Sequence, residues 1–212
     1  MIKIIAIERE YGSGAGGIAQ AIANRLNWTL WDREITCEIA RRLKCSIQSV
    51  EQREEKLDPT FYRLMKTFMR GSYEDSFSGG ANLDLLDAEH LSLLFEKVVK
   101  DAAAKGNCVI VGRAAPWFLR ERGDAMNIFI YAPLEEKIRR LVAQGKTAEE
   151  AERLVDQVDS DRAAFIKKYY GKVWPQRDLY HLMINSKIGD DAVIETILFK
   201  MEQLNKGAAV NA

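Results

Sequence analysis

Apolar positions along this chain fall into two rhythms. Short, largely apolar runs occur at residues 2–7, 28–31, 108–111, 127–131 and 179–184, the third of them unbroken. Runs this short, without polar alternation, predict strands buried on both faces of a parallel sheet. Between them the spacing turns to that of a helix. Ile18, Ala19, Ile22, Ala23 and Leu26 share one face, and further helical stretches are predicted over 33–44, 46–56, 60–70, 83–105, 134–144, 147–168 and 190–205. Punctuation supports these bounds: Asp58-Pro59 breaks a run, Gly106 stands in C-cap position, and Thr147-x-x-Glu150 forms a capping box. Residues 71–82 are polar and rich in Gly and Ser and read as a mobile loop; the tail from Lys206 reads as frayed.

Five short strands separated by helices predict an α/β fold, a five-stranded parallel sheet flanked by helices on both faces. With 212 residues, no internal repeat and no clear linker, the chain reads as one domain over 1–212, in which 44–82 is a helical insertion. The composition is that of a globular protein, 47% hydrophobic and 29% charged, and the 31 basic residues balance 31 acidic ones. No global field therefore draws it to nucleic acid or to an anionic membrane, and any anion site is local. Cys37, Cys45 and Cys108 are an odd number without C-x-x-C spacing, which argues against a disulfide framework or zinc site and suits a reducing cytoplasm. No apolar run approaches a membrane span, and the opening run is too short for a signal peptide.

The local anion site is expected at residues 12–17, Gly-Ser-Gly-Ala-Gly-Gly, between the first strand and the first helix. Loop N–H groups and a helix N-terminus there aim positive partial charge at one spot. Gly12 and Gly17 match the glycines of the phosphate loop G-x-x-x-x-G-K-[ST], yet Ile18 and Ala19 stand where its lysine and hydroxyl belong. Gly12-x-Gly14-x-x-Gly17 also fits a dinucleotide fingerprint, with Asp32 near the expected acidic position. A tight turn with no ligand is the third reading.

The ordered set Glu8-Arg9-Glu10-Tyr11-Gly12-Ser13-Gly14, Trp31-Asp32-Arg33-Glu34-Ile35, Val109-Ile110-Val111-Gly112-Arg113-Ala114, Ile128-Phe129-Ile130-Tyr131-Ala132-Pro133, Asp161-Arg162-Ala163-Ala164-Phe165 and Tyr169-Tyr170-Gly171-Lys172-Val173-Trp174 resembles the bacterial cytidylate kinase-like family of P-loop proteins. The resemblance implies the nucleoside-monophosphate-kinase sheet, an acceptor-binding insertion at 44–82 and a lid at about 145–175. It also implies ATP and Mg2+ as cofactors and a nucleoside monophosphate, such as CMP, as acceptor. Gly112-Arg113 resembles the pair that contacts the acceptor, and Asp156-x-x-Asp159-x-x-Arg162 resembles the lid motif whose arginine reaches the transferred phosphate. Val155 and Val158 occupy two positions where that lid pattern carries arginines. Asn185-Ser186 sits where a pair leading to the adenine-side loop is expected.

On this reading Gly12, Ser13, Gly14, Ala15, Gly16 and Gly17 bind nucleotide phosphates, and Asp32 and Arg113 bind the acceptor. Arg9, Arg139 and Arg162 supply the catalytic cations. Ser13 is the one loop hydroxyl available to magnesium, and Asp32 serves magnesium-bound water, an acceptor hydroxyl or a helix N-cap. Of Arg139 and Arg140, one reaches the donor phosphates and the other faces solvent. Arg53, Arg63, Lys66 and Arg70 stud the insertion, where they clamp an acceptor or face solvent. Tyr169, Tyr170 and Trp174 pack the lid or stack on a base. His90 and His181 read as structural. A nucleotide-dependent phosphotransferase leads, with a nucleotide-binding module that has lost catalysis and a kinase for another small acceptor as alternatives.

Overall fold

The computed structural model describes residues 1–32, 34, 35, 38 and 88–210. Five strands form one sheet: β1 (Ile4–Arg9), β2 (Thr29–Trp31), β3 (Cys108–Val111), β4 (Ala125–Tyr131) and β5 (Leu182–Asn185). Every pairing is parallel, and the order is β2-β3-β1-β4-β5. β1 is thus central. Ile4 to Ile7 pair with Cys108 to Val111 on one side, and Ile4 to Arg9 with Ala125 to Ile130 on the other. All five apolar runs become strands, with bounds shifted by a few residues. The fifth moves most, because a 3-10 turn at Arg177–Leu179 takes up the start of its run.

The central strand explains itself chemically. Ile4, Ile5, Ala6 and Ile7 are fully buried, as a strand covered on both faces requires. Ile5 and Ile7 meet Ile18, Ile22 and Ile197 on one side; Ile4 and Ala6 meet Phe95, Val99 and Phe165 on the other. Each such isoleucine contributes about 1.5–3 kcal/mol by burial. The first layer is made by α1 (Ala15–Leu26) and α6 (Asp190–Val210). The second is made by α2 (Ala88–Ala104), the short α3 (Ala115–Phe118) and the carboxyl half of α5 (Ala148–Tyr170). Between β4 and α5 runs α4 (Leu134–Ala143).

One expectation is corrected. α1 begins at Ala15, three residues before the predicted start at Ile18. Gly16 and Gly17 are therefore helical, and the loop proper is residues 10–14. Packing overrides their low propensity, since Ala15, Ile18 and Ala19 are all buried against the sheet. Val155 and Val158 form a small core with Tyr11, Leu141 and Ala151, which docks α5 on α4 and the loop. Thr147 caps α5 as its capping box predicts, accepting the Glu150 N–H. The expected insertion over 44–82, its helices 46–56 and 60–70, the loop 71–82, Arg53, Arg63, Lys66 and Arg70 lie outside the described residues, as do most of 33–44 and the His90 side chain. Among the described residues no helix is long and apolar enough to cross a membrane.

Candidate phosphate-handling site

The carboxyl ends of β1, β3 and β4 meet at one edge of the sheet, where the chain leaves β1 through the glycine loop. Gly12 and Gly14 adopt φ of +76° and +80°. A Cβ on Gly12 would lie 3.1 Å from the Lys137 Cβ, and one on Gly14 would lie 2.1 Å from Arg140 Nη1. Both positions thus need glycine for space as well as for conformation. Gly14 is the N-cap of α1 and offers no side-chain cap, and the first turn carries no acidic residue. The first-turn N–H groups therefore lack a capping acceptor and present positive partial charge. Gly17 differs: nothing lies within 4 Å of a Cβ built there.

The loop is held by a buried charge network that sequence reasoning missed. Lys137 Nζ lies 2.6 Å from Glu10 Oε2 and 3.2 Å from Asp159 Oδ2. Glu10 also accepts the Ala132 N–H, and Asp159 Oδ1 accepts the Tyr11 N–H at 2.8 Å. Burial pushes the Asp159 carboxyl above its ordinary value, against the pull of Arg162 and Lys137. From the other side, Ser186 is fully buried and its hydroxyl reaches Ser13 O at 2.7 Å and Tyr131 O at 3.2 Å. Asn185-Ser186 thus ties the end of β5 to the loop.

The cation over the loop is Arg140 and not Arg139. Arg140 lies against Gly14, bonded to Asp190 at 2.7 Å, Glu136 at 2.8 Å and Ser186 O at 3.3 Å. Arg139 is 69% exposed and paired with Glu136. The helical wheel contains this choice. With Lys137 and Leu141 inward, 140 falls on the flank of the buried face and 139 opposite it. Ser13 is held within the loop. Its hydroxyl donates to Glu10 O at 2.8 Å, so it braces the loop.

Three arginines converge beside this loop. Arg9, Arg113 and Arg162 are all buried. Arg162 comes from α5 and donates to Arg9 O at 3.0 Å and to Asp159 at 3.3 Å. The Arg9 guanidinium lies on Gly112, where a Cβ would stand 1.8 Å from Nη1. Residues 112–114 take three successive left-handed conformations, with φ of +71°, +58° and +54°. For Arg113 and Ala114 that is strained, about 1 kcal/mol or more each, and such strain clusters at functional sites. Burial, then the nearby Arg9, lower the Arg113 pKa to about 9; Asp32 and Glu8 pull it up, and Arg162 pulls it down. Asp32 is itself buried, its N–H donating to Glu34 Oε2 at 3.3 Å.

Of the predicted residues, then, Arg9, Arg113, Arg162 and Asp32 come together next to Gly12 and Gly14. Gly16 and Gly17 move into the helix, Ser13 turns inward and Arg139 points away. Lys137, Asp159 and Arg140 join. His181 is structural, as expected: its Nδ1 accepts the Asn127 N–H at 2.9 Å.

A glycine loop capping a helix at the end of the central strand, in a sheet of this order, can be compared with known proteins. The sequence pattern of the cytidylate kinase-like family matches residues 4–188. The chain belongs to the cytidylate kinase-like family. No curated protein matches it. Among solved structures it resembles an uncharacterized protein from Eubacterium ventriosum at 20% identity and a TM-score of 0.68, covering 96% of this chain and 99% of that one. A gluconokinase from Sinorhizobium meliloti shares 10% identity at a TM-score of 0.57, over 99% of this chain and 97% of that one. Shikimate kinase from Acinetobacter baumannii, in complex with shikimate, shares 15% at 0.51, over 93% and 92%. At these identities the likeness is one of fold, that of the P-loop kinases. This family member departs from the loop motif in the first turns of α1, where Ile18 and Ala19 replace the lysine and hydroxyl and are buried.

Proposed function

We propose that the chain is a nucleotide-dependent phosphotransferase, moving a phosphoryl group from ATP to a phosphorylated small molecule, with CMP as the first acceptor to test. The observation that carries this reading is the convergence of buried Arg9, Arg113 and Arg162 beside an uncapped helix N-terminus. Three buried like charges oppose one another, and an anion among them relieves that opposition.

The loop fits a polyphosphate, because Gly12 and Gly14 keep clear the space a Cβ would fill. When bound, ATP supplies the phosphoryl group and a leaving group whose charge must be offset. The N–H groups of the first turn of α1 hold donor oxygens, and Arg140 provides a cation at the same end. Arg113 and Arg9 orient the acceptor phosphate, and Arg162 faces the gap between donor and acceptor. Asp32, buried close enough to Arg113 to raise its pKa, lies on the acceptor side. Such chemistry rests on in-line positioning and on cations around the equatorial oxygens. Magnesium would come with the nucleotide, held mainly by its phosphate oxygens and water, and the Ser13 oxygen, which donates its hydrogen to Glu10 O, keeps its lone pairs for such a contact. No step is assigned to it.

Ile18 and Ala19, buried at the lysine and hydroxyl positions of the loop motif, favour a second reading, a nucleotide-binding module without turnover. A coupled ADP-release assay with Mg-ATP separates the two, run across CMP, dCMP, UMP, AMP and GMP, with shikimate and gluconate added because the fold neighbours are named for them. Turnover with one acceptor, abolished by Arg113→Ala, supports the phosphotransferase. ATP-induced thermal stabilisation without turnover supports the binding module, and neither effect refutes the phosphate site.

A further inference from the structure

Where β5 passes into α6, the chain carries charges that the phosphotransfer reading leaves unused. Lys187 lies on the 3-10 turn Ser186–Ile188, and Asp190 opens α6. Both reach back to α4. Lys187 pairs with Glu135 in the first turn of that helix, and Asp190 with Arg140 in its last. The first pair is exposed on both sides and contributes little. The second is different, because its arginine is 15% exposed and borders the glycine loop.

A guanidinium carries five N–H donors, and four of those on Arg140 are committed. Nε donates to Glu136 Oε1 at 2.8 Å. Nη2 donates to Asp190 Oδ1 at 2.7 Å and to Ser186 O at 3.3 Å, and Nη1 to Asp190 Oδ2 at 3.2 Å. The fifth, on Nη1, has no partner among the described residues. Nη1 is also the atom that a Cβ on Gly14 would strike first. The uncommitted donor thus belongs to the nitrogen that borders the loop. The bidentate carboxylate fixes the plane of the guanidinium, while Glu136 and the Ser186 carbonyl hold its other edge.

A carboxylate beside a cation can compete with an incoming anion or hold the cation for it. Competition requires the carboxylate to take the donor that faces the anion's place. Asp190 leaves that donor open. Its charge is also balanced, since Arg139 and Arg140 together offset Glu136 and Asp190. We propose that Asp190 and Glu136 are positioning residues, which hold the open Nη1 donor of Arg140 toward the polyphosphate of the donor nucleotide. The proposal rests on the phosphotransferase reading for the donor's place at the loop. An acidic residue at the start of α6 then strengthens anion binding at the start of α1. A guanidinium ordered in advance loses less side-chain freedom when it meets phosphate. Ser186 joins this cation to the loop backbone, because its hydroxyl also donates to Ser13 O.

The test compares Asp190→Asn with Asp191→Asn in the full chain. Each removes one charge from the first turn of α6, but only Asp190 is bonded to Arg140. Asp190→Asn keeps the shape and turns an amide N–H against an arginine nitrogen. Calorimetry should show it binding pyrophosphate and Mg-ATP about tenfold more weakly. Asp190→Ser, which suits a helix start and cannot chelate the guanidinium, should match it. Asp190→Glu restores the charge and both oxygens and should recover part of the loss, and Asp191→Asn should bind as the wild type does. Without ligand, NMR should show slow rotation of the Arg140 Nη groups in the wild type and Asp191→Asn, lost in Asp190→Asn. Undiminished or tighter binding in Asp190→Asn overturns the proposal, as does an equal loss in Asp191→Asn or a wild type that binds neither ligand. The expected binding pattern without ADP release from any acceptor overturns phosphotransfer and keeps the positioning. ADP release with a KM for ATP that ignores Asp190→Asn does the reverse.

Discussion

Replacing Arg113 with methionine should stabilise the ligand-free protein while removing its response to phosphate. Arg113 is fully buried, and its pKa falls from 12.5 to about 9, first through burial and then through Arg9. That drop corresponds to about 5 kcal/mol of opposition to the charged form. The figure already includes the favourable pull of Asp32 and Glu8. Removing one partner of a buried ion pair usually costs about 3–5 kcal/mol by stranding the other charge. Here Glu8 would still pair with Arg9, so that carboxylate is not stranded. Methionine retains most of the side-chain volume and leaves the left-handed backbone strain at φ +58° unchanged. Allowing for lost packing, a net gain of about 1–2 kcal/mol is expected, or roughly 2–8 °C in melting temperature for a domain of this size.

The assay is thermal melting with and without inorganic phosphate, pyrophosphate or CMP. In the wild type, ligand at a hundred times its dissociation constant adds about 2.7 kcal/mol; Arg113→Met should lose most of that. The pH dependence has a definite sign. The folded-state pKa lies below the unfolded one, so between about 9 and 12.5 the unfolded chain binds the extra proton and wild-type stability rises with pH. The advantage of the variant is full below pH 9 and shrinks above it. A variant less stable by 3 kcal/mol at pH 7, or one with an unchanged phosphate response, would refute the reasoning and make Arg113 a structural ion-pair partner.

Lys137→Met leaves Glu10 and Asp159 without their shared cation and should destabilise by about 3 kcal/mol in urea unfolding. The glycines should divide. Gly14→Ala puts a methyl group into Arg140 at a left-handed position and should cost about 1–2 kcal/mol and weaken ATP binding in calorimetry. Gly17→Ala meets nothing and should add about 0.5–1 kcal/mol with ATP affinity unchanged. Hydrogen bonds from Arg139 and then Arg140 lower the Glu136 pKa to about 2. Its stabilisation is therefore present above pH 4.5 and lost toward pH 2. Solvent screening limits it to about 1 kcal/mol or less, measured as the pH 7 to pH 3 difference that Glu136→Gln removes.

The sheet was legible because burial on both faces leaves a simple trace, an unbroken apolar run such as 108–111, and turn residues mark where each run stops. The start of α1 was less so, because four glycines suggest a loop until Ala15, Ile18 and Ala19 find a surface to pack on. Arg113 and Arg162 were visible through their places in recurring stretches, at a strand end and on a helix. The left-handed course of 112–114 was not, since only Gly112 hints at it. Lys137 and Asp159 look like the charges of any solvated helix. What buries them is the approach of α4 and α5 to the loop, a pairing no local window contains.

The absent loop lysine gains a physical account from these positions. A lysine on the first turn of α1 would extend from the helix whose N-terminus is proposed to bind the phosphate. Here that turn presents Ala15 and Ile18 to the core, which makes α1 a better packing element and leaves the site short of one positive charge. The charge returns from elsewhere, with Arg140 arriving from α4 and Arg162 from α5. Both of those helices are anchored to the loop, through Lys137, Glu10 and Asp159 and through the small core of Tyr11, Leu141, Val155 and Val158. A cation supplied this way depends on how α4 and α5 sit on the loop, whereas a lysine within the loop would not. Weakening that anchorage should therefore reduce phosphate affinity even when no phosphate-contacting residue is changed. Val158→Ala tests this, because it trims the small core beneath the loop and touches none of the cations. An affinity loss that tracks its stability loss supports a site assembled by docking. Unchanged affinity in a destabilised variant would show that the loop and the arginines of β1 and β3 suffice.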